Sequence, residues 1–96
     1  MDEWDALVIS LRSAKSTPTP RGMVPDEKTA ATIGEAIAIA QFGEAPMAKQ
    51  RPFKAKLYGN AWLVKGTLYP AGAYGGTAVV KIDKHNGKVL LVLHQQ

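Results

Sequence analysis

The 96-residue chain contains no cysteine. That excludes a disulfide framework and any zinc site built on thiolates, and it leaves packing and hydrogen bonding to hold the fold. Histidine is nearly as scarce, with two residues, His85 and His94. No spacing of His, Asp and Glu reads as a metal-ligand set, so no metal and no cofactor is expected. No apolar run is long enough to cross a bilayer. The first residues, MDEWDALVISLRSA, carry acids where a secretory signal needs a basic flank. This predicts a soluble, cytoplasmic protein with no membrane partner; a periplasmic chain whose signal has been removed would read the same. Acids are also missing from the second half. Residues 45–96 hold Asp83 alone against eight Lys and Arg, whereas residues 1–44 hold seven acids against four bases. A surface so basic suits an acidic partner, whether nucleic acid or an acidic protein face; it would equally keep a sheet soluble and guard its edges.

What is present reads as one small domain with a leading arm. In residues 1–21, Trp4, Leu7, Val8 and Leu11 follow the i, i+3, i+4, i+7 spacing of a short amphipathic helix, with Asp2 and Glu3 at the end where the helix dipole favours acids. Such a helix is too short to stand alone, so its stripe needs the main domain, a second subunit or a ligand. SAKSTPTPRG, with Pro18 and Pro20, is a linker. Residues 22–96 form the domain proper, and it is organised around VPDEKTAATIGEAIAIAQFG, residues 24–43. Pro25 suits the first turn of a helix, Asp26 and Glu27 its positive end, and Gly43 its stop. Steps of 100° place Ala30, Ile33, Ala36, Ile37 and Ala40 on one narrow face, with Gly34 at its border for close approach to a sheet. Ile39 falls opposite, as a candidate contact for the Trp4 stripe.

The segment 44–51 breaks both periodicities. Beyond it, Phe53, Ala55 and Leu57 alternate with Lys54, Lys56 and Tyr58, and Gly59-Asn60 marks a hairpin into a strand over 61–68. After the Gly-rich loop at 69–76, a strand over 77–83 and a turn at 84–87 lead into a last strand over 88–94. The expected fold is α+β: one main helix on a four-stranded antiparallel meander, plus the short N-terminal helix. With Trp62, Val64, Val80 and Ile82 under the helix, the other face carries Lys54, Lys56, Leu63, Lys65, Val79 and Lys81, together with Leu90, Val92 and His94. The apolar run VLLVL leaves the register of the last strand open. Aliphatic residues on that face suggest that something buries it: a second subunit, a partner protein or the N-terminal segment.

Catalytic constellations are thin. Asp83, His85 and His94 have no evident partners, while Asp26, Glu27 and Glu35 read as helix-end and surface charges. GAYGGT, residues 72–77, lacks the spacing of a phosphate loop and precedes a strand, so a turn explains it better. Phe53 and Trp62 fall on the helix-covered face, which argues against stacking of single-stranded nucleic acid.

The order Val24-Pro25-Asp26, Thr29-Ala30, Gly43, Pro52-Phe53-Lys54-Ala55, Leu57, Trp62-Leu63-Val64, Gly66-Thr67-Leu68, Gly75-Gly76, Ile82-Asp83-Lys84 and Asn86-Gly87-Lys88 resembles the bacterial immunity proteins of nuclear-transport-factor-2-like fold over about residues 22–93. The resemblance implies a cone-like domain, nuclear-transport-factor-2-like or cystatin-like. Such a domain is encoded beside a polymorphic toxin, delivered by contact-dependent or type VI secretion, and neutralises it by binding, without catalysis. The cognate toxin is then the expected protein partner. Lys54, Lys56, Leu63, Lys65, Val79 and Lys81 on the uncovered face, with Tyr69 and Tyr74 of the neighbouring loop, are the candidate contacts. A homodimer is a competing use of that face. A small-ligand or enzymatic member of the fold would instead place Asp83, His94 or Tyr74 in the cone, and a basic nucleic-acid-binding module is the third reading.

Overall fold

The computed structural model describes residues 2–68 and 76–95. Among these residues three helices, α1 (Glu3–Ser10), α2 (Glu27–Phe42) and α3 (Glu44–Ala48), precede four strands, β1 (Lys54–Tyr58), β2 (Ala61–Lys65), β3 (Ala78–Asp83) and β4 (Val89–His94). The strands form one antiparallel sheet in the order β1-β2-β3-β4, with α2 against one face. This is the α+β meander that the alternation predicts.

α2 begins because the side chain of Asp26 accepts a hydrogen bond from the Thr29 amide at 2.8 Å, which satisfies one of the donors that a helix start leaves free. Pro25 therefore sits just outside the helix and not in its first turn as expected. The buried residues are Ala30, Gly34 and Ala38, with Ile33 and Ile37 packed beside them. Ala36 and Ala40 are exposed, so the contact face is rotated from the expected one toward Gly34, which lies at its centre. At 43–51 the expected break is a short helix instead. Gly43 turns the chain at φ 97°, and Pro46 falls in the first turn of α3, where its missing N–H costs nothing. The turn drives Met47 into the core at 1% exposure.

Beneath α2 lie Trp62, Val64, Ala78, Val80 and Ile82, all buried, with Phe53 and Val92 beside them. Trp62 is the one large polar-tipped side chain among them, and its indole N–H donates to the Val24 carbonyl at 2.8 Å. Leu57, at the hairpin end of β1, is 40% exposed, so the inward row of β1 closes only at Phe53 and Ala55. The β1–β2 hairpin turns through Gly59 at φ 60°, a left-handed conformation that glycine adopts freely. At β3–β4 the Asp83 carboxylate accepts from the amides of His85 (2.8 Å) and Asn86 (3.2 Å) and so shapes the turn.

α1 stands apart. Asp2 caps it through the Asp5 amide at 2.8 Å, yet none of its residues is buried, and every residue from 2 to 21 is exposed. Trp4 is 73% exposed, and Ile39 packs against the core cluster, so the expected Trp4–Ile39 contact does not form. The radius of gyration, 16.5 Å, records the extension; a compact chain of this length has about 12 Å. Among the described residues, no helix is long and apolar enough to cross a membrane.

Candidate functional site

Strand pairing sorts the side chains between the two faces, since partners across a ladder share a face and successive residues alternate. Opposite α2, one row runs Lys54, Lys65, Val79, Leu93 and the next Lys56, Leu63, Lys81, Leu91. A third row, at the turn end, holds Tyr58, Ala61 and Asp83. Six of the eight expected contact residues, Lys54, Lys56, Leu63, Lys65, Val79 and Lys81, are thus brought onto one open surface. Tyr69 and Tyr74 lie outside the described residues. Lys54, Lys56, Leu63, Lys65 and Val79 line a shallow depression there, and the Lys56 ammonium stands 5.4 Å from the centroid of the Tyr58 ring.

The last strand departs from the expectation. Val80 pairs with Val92 and Ala78 with His94, which puts Val92 and His94 on the helix side. A register shift between Lys81 and Ile82 then leaves Leu90 without a partner. Leu91 and Leu93 take the open positions instead, 43% and 36% exposed. The apolar run VLLVL could not reveal this, because either register offers aliphatic residues to both faces.

The strand rows of the open face are basic on balance, although Glu27 of α2 also lines the depression. Lys54 lies directly opposite Lys65, a like-charge pair that disfavours the sheet. None of the four lysines forms an ion pair among the described residues; the salt bridges there use Arg21 and Arg51. Asp83 is the only acid in these rows, and its carboxylate serves the β3–β4 turn.

Other polar groups hold the domain together. Arg51 donates to Glu35 at 3.1 Å and to Glu44 at 2.8 Å, and these bonds raise its already high pKa. In the cleft between α2 and β1, Glu35 and Arg51 satisfy each other, while Glu27, Lys28 and Lys54 also line it. Gln50 accepts from the Ala78 amide at 2.9 Å and meets His94 Nε2 at 3.0 Å, while the His94 ring stacks edge-on against Phe42. The roles of Arg51 and Gln50 are not legible in the sequence, since both sit in segment 44–51, where neither periodicity runs. The contacts Glu35–Arg51 and Gln50–His94, 16 and 44 residues apart in sequence, leave no local pattern. Asp83 and His94 end opposite termini of the β3–β4 pair, and His85 sits in the turn, so the three do not converge. Among the described residues, no group of three or more His, Cys, Asp and Glu is arranged to hold a metal.

Two curated relatives, both from Escherichia coli K12, are described only as uncharacterised proteins. YbbC is 28% identical over 76 residues, covering 79% of this chain and 62% of its own length. YhhH is 24% identical over 72 residues, covering 75% and 57%. The chain thus spans less than two thirds of either. No solved structure matches it significantly. The family model for NTF2 fold immunity proteins, Imm-NTF2-2, matches residues 29–96, from the first turn of α2 through the whole sheet. The chain therefore belongs to the NTF2-fold immunity protein family.

Proposed function

We propose that this protein neutralises a cognate secreted antibacterial toxin by binding it through the open face of the sheet, without catalysis. Family membership supports a toxin as partner. The observation that carries the choice of surface is the set of four lysines, Lys54, Lys56, Lys65 and Lys81, that form no ion pair among the described residues and are interleaved with Leu63, Val79, Leu91 and Leu93. A face of this kind fits an acidic surface with an apolar centre. The charges steer encounter and fix orientation, and the aliphatic residues lose water on contact. Covering a nuclease-like or hydrolytic cleft needs no group on this side to take or give a proton. The interior supports the same reading, since Val64, Val80 and Ile82 fill the space beneath α2 where a ligand-binding member of the fold would hold its substrate.

The test is co-expression with the toxin domain encoded by the neighbouring upstream reading frame. Relief of growth inhibition and co-purification of the two chains are expected. A toxin whose effect on growth is unchanged by this protein overturns the reading.

A further inference from the structure

Two apolar surfaces of this chain lie bare in the same structure, and they carry opposite charge. The α1 stripe of Trp4, Leu7, Val8 and Leu11 is exposed throughout, and residues 2–11 hold Asp2, Glu3 and Asp5 with no base. On a helical projection Glu3 and Asp5 flank the stripe on either side. The open sheet face offers Leu63, Val79, Leu91 and Leu93 among Lys54, Lys56, Lys65 and Lys81. Each surface is what the other lacks.

We propose that two copies of this chain exchange their N-terminal arms, α1 of each lying on the open sheet face of the other. The second copy, and not the chain's own sheet, is the occupant because α1 is held out from its own domain. Residues 2–21 are exposed along their whole length, and the long axis of the molecule reaches 53 Å. Pro18 and Pro20 keep the arm extended and remove two donors that could tie it back. The arm is fastened at its base, where the Met23 and Val24 amides donate to the His85 and Lys84 carbonyls at 2.9 and 3.1 Å. Residues 12–22 then supply a tether of up to about 36 Å, enough for a helix leaving one copy to lie across the next. Reciprocal exchange closes as a two-fold pair, so both stripes and both faces are covered at once.

The arm and the proposed toxin take the same face, so the exchanged dimer is the form the chain holds before a toxin displaces the arms; the experiment needs no toxin, and its result is separate from the function proposed above. In sedimentation at micromolar concentration, the full chain is expected to be a dimer. Its Trp4 emission, taken as the difference from Trp4→Phe, is expected to be blue-shifted in the dimer and to redden on dilution. Two charge-reversed full-length chains decide the geometry. Glu3→Lys/Asp5→Lys puts a basic arm beside a basic face, and Lys54→Glu/Lys56→Glu/Lys65→Glu puts an acidic arm beside an acidic face. Each alone is expected to be monomeric; mixed, they form a one-to-one heterodimer in which both contacts are complementary. All substituted positions are exposed, and cooperative urea unfolding with the slope of the unsubstituted chain verifies folding, the midpoint falling only by what the lost dimer contributed. Three results overturn the proposal: a monomer with water-exposed Trp4, a monomer with protected Trp4 (the arm on its own sheet), or a dimer that both variants retain separately.

Discussion

Gly34 lies so close to Val64 that a Cβ built on it would stand 2.6 Å from Val64 Cβ, inside any real contact. Helix and sheet touch here backbone to side chain. Alanine favours a helix interior over glycine by about 1 kcal/mol, but at this position the methyl group has nowhere to go. Gly34→Ala is expected to destabilise the domain by about 1–3 kcal/mol, the usual cost of overpacking. Urea titration measures it. Adding Val64→Ala should recover part of the loss, because the overlap is removed; two independent losses would show that the close approach is not the cause.

Trp62 ties the start of α2 to the centre of the sheet through its bond to the Val24 carbonyl. Trp62→Phe keeps most of the ring volume and removes the donor. The expected cost is about 1–3 kcal/mol, the penalty for leaving a buried acceptor without a partner. A loss far below that, measured by thermal or urea unfolding, would mean that water replaces the indole.

The Asp26 cap gives the domain an acid sensitivity of known sign. The Thr29 amide, then its hydroxyl, then the charge of Arg21 hold the Asp26 carboxyl below its ordinary value of 3.8. Its contribution is therefore complete above 3.8 and is lost as pH falls through the lower folded value. Asparagine caps a helix without titrating. Asp26→Asn should lower stability at neutral pH and flatten its decline in acid; an unchanged slope of unfolding free energy against pH would show that other carboxylates govern it.

Much of this fold could be read from local pattern. The alternation of Trp62 and Val64 and of Val80 and Ile82, and the turn residues Gly59-Asn60 and Asn86-Gly87, placed the strands and hence four of the lysines on one face. The phase of α2 is poorly marked in the sequence because alanines and a glycine give little hydrophobic contrast. The contact is set by what Val64 leaves room for, which only the sheet reveals. Val92 and His94 were misplaced by a bulge in a strand apolar on both sides. α3 is hidden because segment 44–51 carries neither periodicity and follows the stop at Gly43, although a first-turn proline such as Pro46 loses no bond. The open face is legible since it rests on period 2; the proposed partner is not, because four lysines fix only the charge that such a partner would carry.

The pairing of Lys54 with Lys65 implies a conflict between stability and binding. Like charges directly opposite on a sheet are unfavourable, and an acidic partner would relieve them. Lys65→Glu turns the pair into an attractive one and, at protein concentrations low enough that no dimer forms, is expected to stabilise the free domain by about 0.2–1 kcal/mol. The same change removes two units of positive charge from the proposed contact surface. Association with the toxin should slow, most strongly at low ionic strength, with the effect shrinking as salt screens the field. Urea midpoints and stopped-flow association rates of the one variant give both quantities. A variant that is more stable yet associates at the unaltered rate would locate the partner away from the open face.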